Sequence, residues 1–154
     1  MLIGISLLSC STKKTAFVST AYHGITTRYN IYFNGRESFK EAKSLLMNDV
    51  KDNYTDVLQV YVYPEKVQAM TYAPQWDRTI EKCSKAITKH SILVKGIEHC
   101  KPIDDTYLLM GQAYFYRQDY YDALRIFSYI INTHNNGNVW PDAYTWKAKT
   151  NLQL

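Results

Sequence analysis

Signatures of catalysis are missing from this chain of 154 residues. It holds no Ser-His-Asp set, G-x-S-x-G, Walker loop, H-E-x-x-H or G-x-G-x-x-G, so no activated nucleophile, phosphate cradle or zinc helix is spelled out. The four histidines, His23, His90, His99 and His134, are scattered and read as surface or helix-end residues. His99-Cys100 lacks a partner at C-x-x-C or H-x-x-x-H spacing, which argues against a metal site. Charged residues are slightly scarce at 21%, and the net charge of +4 is mild. Without a basic footprint or a recognisable module, nucleic acid is not an expected partner. No apolar run approaches the roughly 20 residues of a transmembrane helix. On these grounds no enzyme, cofactor or small-molecule substrate is expected.

Cysteine is also sparse, at three residues, and the first is the most informative. The apolar run from Leu2 to Leu8 ends in Leu7-Leu8-Ser9-Cys10 and gives way at once to the polar Ser11-Thr12-Lys13-Lys14. That is the pattern of a bacterial lipoprotein export signal of roughly 7–15 residues, rather than of a short buried strand carrying a core thiol. Residues 1–9 are then the signal peptide, Cys10 takes the lipid, and residues 10–16 form a polar tether. No Lys or Arg precedes the run, so a start placed too late or a clipped fragment is expected. Cys83 and Cys100 remain as a pair in an oxidising compartment. Cys83 falls on an apolar helical stripe, which favours two buried thiols over a bridge.

What the chain has in quantity is apolar residues at helical spacing, and tyrosine, with 14 copies. Over 17–50, Phe17, Ala21, Ile25, Tyr29 and Tyr32-Phe33 recur every three or four residues; Asn34-Gly35 is read as a break, and Phe39, Ala42, Leu46 and Val50 line a second helix. The expectation is a helical hairpin. Residues 51–74 are β-branched and aromatic before Pro64, with no second strand to pair, and read as one long extended connection carrying a helical turn at Lys66 to Met70. A helix is then expected from Gln75 to Val94, with Trp76, Ile80, Cys83, Ile87 and Ser91 inward and Arg78, Lys82, Lys85 and Lys89 on a solvated face.

The segment 75–154 is expected to hold tetratricopeptide-like repeats cut short at the C-terminus. Asp104-Asp105 can cap a helix, after which Tyr107, Met110, Gly111 and Tyr114 follow at offsets of three, four and seven. Gln118-Asp119 makes a turn, and Tyr120, Ala123, Leu124, Phe127 and Ile131 line the next helix. This is the spacing of a helix-turn-helix repeat of about 34 residues. Gly111 and Ala123 are small where two helices cross, and the aromatics plug the neighbouring gaps. Tyr144, Ala148 and Asn151 begin a further unit. The fold class expected is therefore all-α: helical hairpins of tetratricopeptide-repeat type, the start of an α-solenoid, with one long irregular connection. Such arrays bind along the face of each first helix, here Asp105, Leu108, Gln112, Phe115 and Tyr116. That aromatic and apolar set suits a hydrophobic helix or the next repeat rather than a carboxylate tail.

Several stretches are familiar in combination. They are the export cysteine with Ser11-Thr12-Lys13-Lys14, Thr27-Arg28-Tyr29-Asn30 to Tyr32-Phe33-Asn34-Gly35-Arg36-Glu37, Ile80-Glu81-Lys82-Cys83 to Ile87, and Ile103-Asp104-Asp105 to Tyr116. Together they resemble the N-terminal part of the SprE/PorW family of tetratricopeptide-repeat lipoproteins of Bacteroidota gliding motility and type IX secretion. The resemblance implies a non-catalytic scaffold, lipid-anchored to the outer membrane through Cys10 and facing the periplasm, with protein components of the secretion translocon as partners. The segment 11–19 lacks the acidic run that would send such a lipoprotein to the cell surface. A generic repeat lipoprotein that binds peptidoglycan or secreted cargo is the alternative.

Overall fold

The computed structural model describes residues 15–51, 54–55, 57–58, 61–134 and 137–154. Its elements are α1 (Phe17–Thr26), a π-helical stretch (Thr27–Tyr32), α2 (Phe33–Asp49), α3 (Lys66–Thr71), α4 (Ala73–His90), a hairpin of β1 (Leu93–Val94) and β2 (Ile97–Glu98), then α5 (Pro102–Tyr116), α6 (Tyr120–Thr133) and α7 (Trp140–Asn151). The chain is an all-α fold of helical hairpins with one very short β-hairpin.

The first departure from expectation lies at Asn34-Gly35, which does not break the chain. Tyr32 and Phe33 keep right-handed helical dihedrals, so α1, the π stretch and α2 form one continuous rod. Gly35 serves a close helix crossing instead of a turn: a Cβ there would stand 3.3 Å from Lys82 Cβ and 3.7 Å from Cys83 Sγ. The π stretch has a phase role. Each α-helical residue turns the chain by about 100°, and the buried residues of α1 (His23) and of the π stretch (Thr27) sit about one residue step out of phase with the buried set of α2. A π segment absorbs roughly one extra residue without leaving the helix. It therefore turns the Gly35, Ser38, Phe39, Ala42 and Leu46 side of α2 onto α4 while His23 and Thr27 still face inward.

The connection before α4 carries a six-residue helix, α3, where a helical turn was expected. The Glu65 N–H donates to Gln68 Oε1 at 3.0 Å, closing its first turn. Val62 and Tyr63 pack on the core, and Gln118 Nε2 donates to the Pro64 carbonyl at 2.7 Å, so this strap is fixed to the helices. The expected helix to Val94 stops at His90. Lys95 and Gly96 both have positive φ (50° and 79°), the requirement of a two-residue hairpin turn, and Leu93 pairs Glu98 while Val94 pairs Ile97. The Glu98 carboxylate secures this corner by accepting from the Ile92 and Cys100 N–H groups, both at 2.8 Å, and from Ser91 Oγ at 2.5 Å.

From α2 onward the major helices stack in order, α2 on α4, α4 on α5, α5 on α6 and α6 on α7. The centre of the stack is aromatic. Trp76 lies flat on Tyr116 with ring centroids 5.3 Å apart, and Phe39 meets both rings edge-on. Phe115 meets Tyr63, Tyr120 and Trp146. Each such pair adds about 1 kcal/mol beyond the burial of its area. Gly111 makes the α5–α6 crossing possible, since a Cβ there would fall 2.5 Å from Phe127 Cε1. Ala123 across it is fully buried. The small residues stand where the repeat spacing placed them.

Candidate interaction surface

The expected binding face on α5 is mostly filled. Phe115 is 1% and Tyr116 5% exposed, so both belong to the core rather than to an open groove. Leu108 also packs against that core, and Gln112 is half-buried. The physical reason is that α5 is flanked on several sides at once, by α4, by α6, by Tyr63 of the strap and by Trp146 of α7. Helical spacing says that an apolar face meets something; it does not say whether that is another part of the same chain. Asp105 is the one member of the set that faces charged groups. Burial and then Asp104 push its carboxyl above the ordinary carboxylate range, while Arg28 and Arg36 pull it back. The other expected site residue, Cys10, lies outside the described residues, as do the signal segment 1–9 and the tether through residue 14.

Asp104 does not cap α5 either, because the helix begins at Pro102 and both aspartates sit in its first turn, where the helix dipole favours negative charge. Asp104 Oδ1 lies 2.7 Å from His134 Nδ1, joining the start of α5 to the end of α6. Cys83 and Cys100 are free and buried. Burial pushes the Cys83 thiol up to about 12 and the Cys100 thiol to about 11, which leaves neither as a reactive thiolate. Among the described residues, no group of three or more His, Cys, Asp or Glu could hold a metal ion, and no helix is long and apolar enough to cross a membrane.

The surface that stands out is on α1, which packs inside out. Its inward side is polar: His23 Nδ1 lies 2.8 Å from His90 Nδ1, and one turn on, Thr27 Oγ1 lies 3.9 Å from Cys100 Sγ. Its outward side carries Phe17 (85% exposed), Val18 (78%), Tyr22, Ile25 and Tyr29 (73%), continuing to Phe33. Val18, Tyr22, Ile25, Tyr29 and Phe33 follow at steps of four and three, a continuous stripe along the rod. Phe17, Ile25 and Tyr29, which recur at helical spacing in the sequence, are thus on the outside of the rod. Large exposed apolar patches of this kind mark interaction sites more often than chance.

Two recesses flank the stripe. One, of about 380 Å³, lies between Phe17, Ile25 and Tyr29 on the helix and Lys101 and Pro102 at the start of α5. The other, of about 260 Å³, is lined by Tyr29, Tyr32 and Phe33 with Arg28, Arg36 and Asp105. Burial, followed by the nearby Asp105, raises the Tyr32 hydroxyl above its usual range. The border of the stripe is thus basic on the side of the π stretch. Charge position was the sequence signal that periodicity alone missed: residues 1–36 contain Lys13, Lys14, Arg28 and Arg36 and no acidic residue, whereas the remainder carries 14 basic and 14 acidic residues. The whole net charge of +4 therefore belongs to the N-terminal segment.

No protein-family model matches this chain, and no curated protein matches it.

Proposed function

We propose that this chain is the membrane-proximal part of a non-catalytic scaffold lipoprotein. It is anchored through a lipid on Cys10, faces the periplasm from the outer membrane, and binds protein components of a type IX secretion and gliding machinery through its helical hairpins. The observation that supports a binding role most directly is the serial packing of α2, α4, α5, α6 and α7, each on its neighbour. Stacked hairpins of that kind offer extended surfaces without needing a catalytic pocket. The choice of partner rests on the sequence resemblance, above all on Thr27 to Glu37. Within that stretch the structure gives Gly35 and the π stretch mechanical roles in the rod, so its residue choice has reasons beyond helix propensity.

Affinity capture of the full-length protein, with Cys10 intact and in detergent-solubilised membranes, tests the reading. Recovery of secretion-channel subunits supports it. Recovery of peptidoglycan fragments or secreted cargo without channel subunits would replace it with the generic binding role. Cys10→Ala, exported behind an ordinary cleavable signal, is expected to be released from the outer-membrane fraction by a high-salt wash, with its helical content unchanged. Resistance of that variant to the wash, with secretion intact, would remove Cys10 as the anchor.

A further inference from the structure

From its exposed apolar stripe and basic border, we infer that the outer face of α1 and the π stretch lies on an anionic phospholipid surface, as a second membrane contact distinct from the acyl chain. The inference rests on the proposed lipid anchor for where the helix is held, and on the stripe itself for what the helix touches.

Three observations select lipid over other occupants. The first is the composition of the stripe. Phe17, Val18 and Ile25 are aliphatic or aromatic and strongly exposed, while Tyr22 and Tyr29 place a hydroxyl at the end of an apolar ring. That mixture suits the boundary between headgroups and acyl chains, where an amphipathic helix buries its apolar face about 5–10 Å deep. The second is charge. All of the net positive charge sits in residues 1–36, Arg28 lines both recesses, and Lys101 borders the stripe from α5. A second copy of the chain would bring the same excess of positive charge to the contact, whereas an anionic surface complements it. The third is reach. Six residues separate Cys10 from Phe17, and even fully extended they hold the start of α1 within about 25 Å of an acylated cysteine. A helix so tethered meets the bilayer surface before any distant protein.

The inward side of α1 fits this arrangement. The membrane-facing side is free because the helix is secured from behind by His23 against His90 and by Thr27 against Cys100, at the end of α4 and the start of α5. Lipid contact therefore needs no unfolding of the helical stack.

The test uses the mature chain from Ser11 onward, in which neither an acylated cysteine nor the apolar run 2–8 contributes, and measures co-sedimentation with vesicles of phosphatidylethanolamine with or without phosphatidylglycerol. The chain is expected to partition onto phosphatidylglycerol vesicles, and raised salt should weaken the partition. The triple variant Val18→Ser, Tyr22→Ser, Ile25→Ser is expected to reduce it at least tenfold. Because these side chains are more than half exposed, helical circular dichroism should be unchanged; Phe17→Ser, the most exposed of the stripe, provides an independent second variant with a several-fold loss. Arg28→Gln is expected to lower binding about fivefold on anionic vesicles only. Failure of the unsubstituted stripe to bind anionic vesicles, equal binding by the triple variant, or a dimer that the triple variant abolishes would each overturn the lipid contact. None of those results touches the acyl anchor, which fractionation of the Cys10 chain tests separately.

Discussion

The Nδ1 atoms of His23 and His90 face each other at 2.8 Å across the junction of α1 and α4. Such a contact is a hydrogen bond only while one ring donates and the other accepts, so it requires at least one neutral imidazole. Burial holds His90 below its ordinary value, with the neighbouring His23 and Lys89 adding to the effect. As pH falls through about 6.5, the unfolded chain therefore binds a proton that the folded chain refuses. The stability contributed here is complete above that pH and declines as pH drops towards the depressed value. The expected outcome is a midpoint of thermal unfolding that is flat between pH 8 and 7 and falls by about 4 °C by pH 5. Hydrogen exchange should speed up in Phe17–Thr26 before it does in Tyr120–Thr133. His90→Gln should flatten the acid limb. An unchanged acid limb in that variant would assign the pH response to other groups.

The α5–α6 crossing should respond sharply to one methyl group. Gly111→Ala would place its Cβ 2.5 Å from a ring carbon of the fully buried Phe127, which is itself stacked against Trp146. The ring has nowhere to move, so the cost is expected to be about 3 kcal/mol in urea unfolding. Phe127→Leu in the same chain should recover part of it, because the smaller side chain vacates the contact. Additive losses in the double variant would mean that the clash is not with Phe127.

Register along the first rod gives a deletion test. If the π stretch absorbs one residue of phase, removing Asn30 should convert it to ordinary α-helix while both His23 and Leu46 stay inward. Deleting Lys43 instead would rotate the end of α2 by about 100° and turn Leu46 away from the core. Deletion of Asn30 is expected to cost about 1 kcal/mol, and deletion of Lys43 at least about twice that. Equal losses in chemical denaturation would remove the phase role of the π stretch.

The parts of this fold that could be read in the sequence are those where spacing meets a steric requirement. Gly111, Ala123 and Phe127 announced a close helix pair because small and large residues alternated across it, and the structure places them there. The direction of α1 was not legible. Phe17, Ile25 and Tyr29 repeat at helical intervals whether the stripe faces the core or faces out, and only the charge segregation and the polar His23–Thr27 side distinguish the two. Asn34-Gly35 has the composition of a turn, yet the missing Cβ is used against Lys82 and Cys83. The two-residue strands at Leu93–Val94 and Ile97–Glu98 were too short to give an alternating pattern. Phe115 and Tyr116 were assigned to a free face because no local pattern revealed Tyr63 or Trp76, which arrive from 52 and 40 residues earlier in the chain.

The strap before α3 has a mechanical consequence. Lys149 Nζ sits 3.8 Å from the centre of the Tyr61 ring, and Gln118 holds the Pro64 carbonyl, so the strap touches α7 at one end and the α5–α6 turn at the other. Tension applied at Leu154 would not travel only from helix to neighbouring helix. It would also pass directly to residues 61–64, and from them both to α4 and, through Gln118, to the turn between α5 and α6. A serial array pulled from its end peels one layer at a time; this one is laced across its layers, and should yield as a single block.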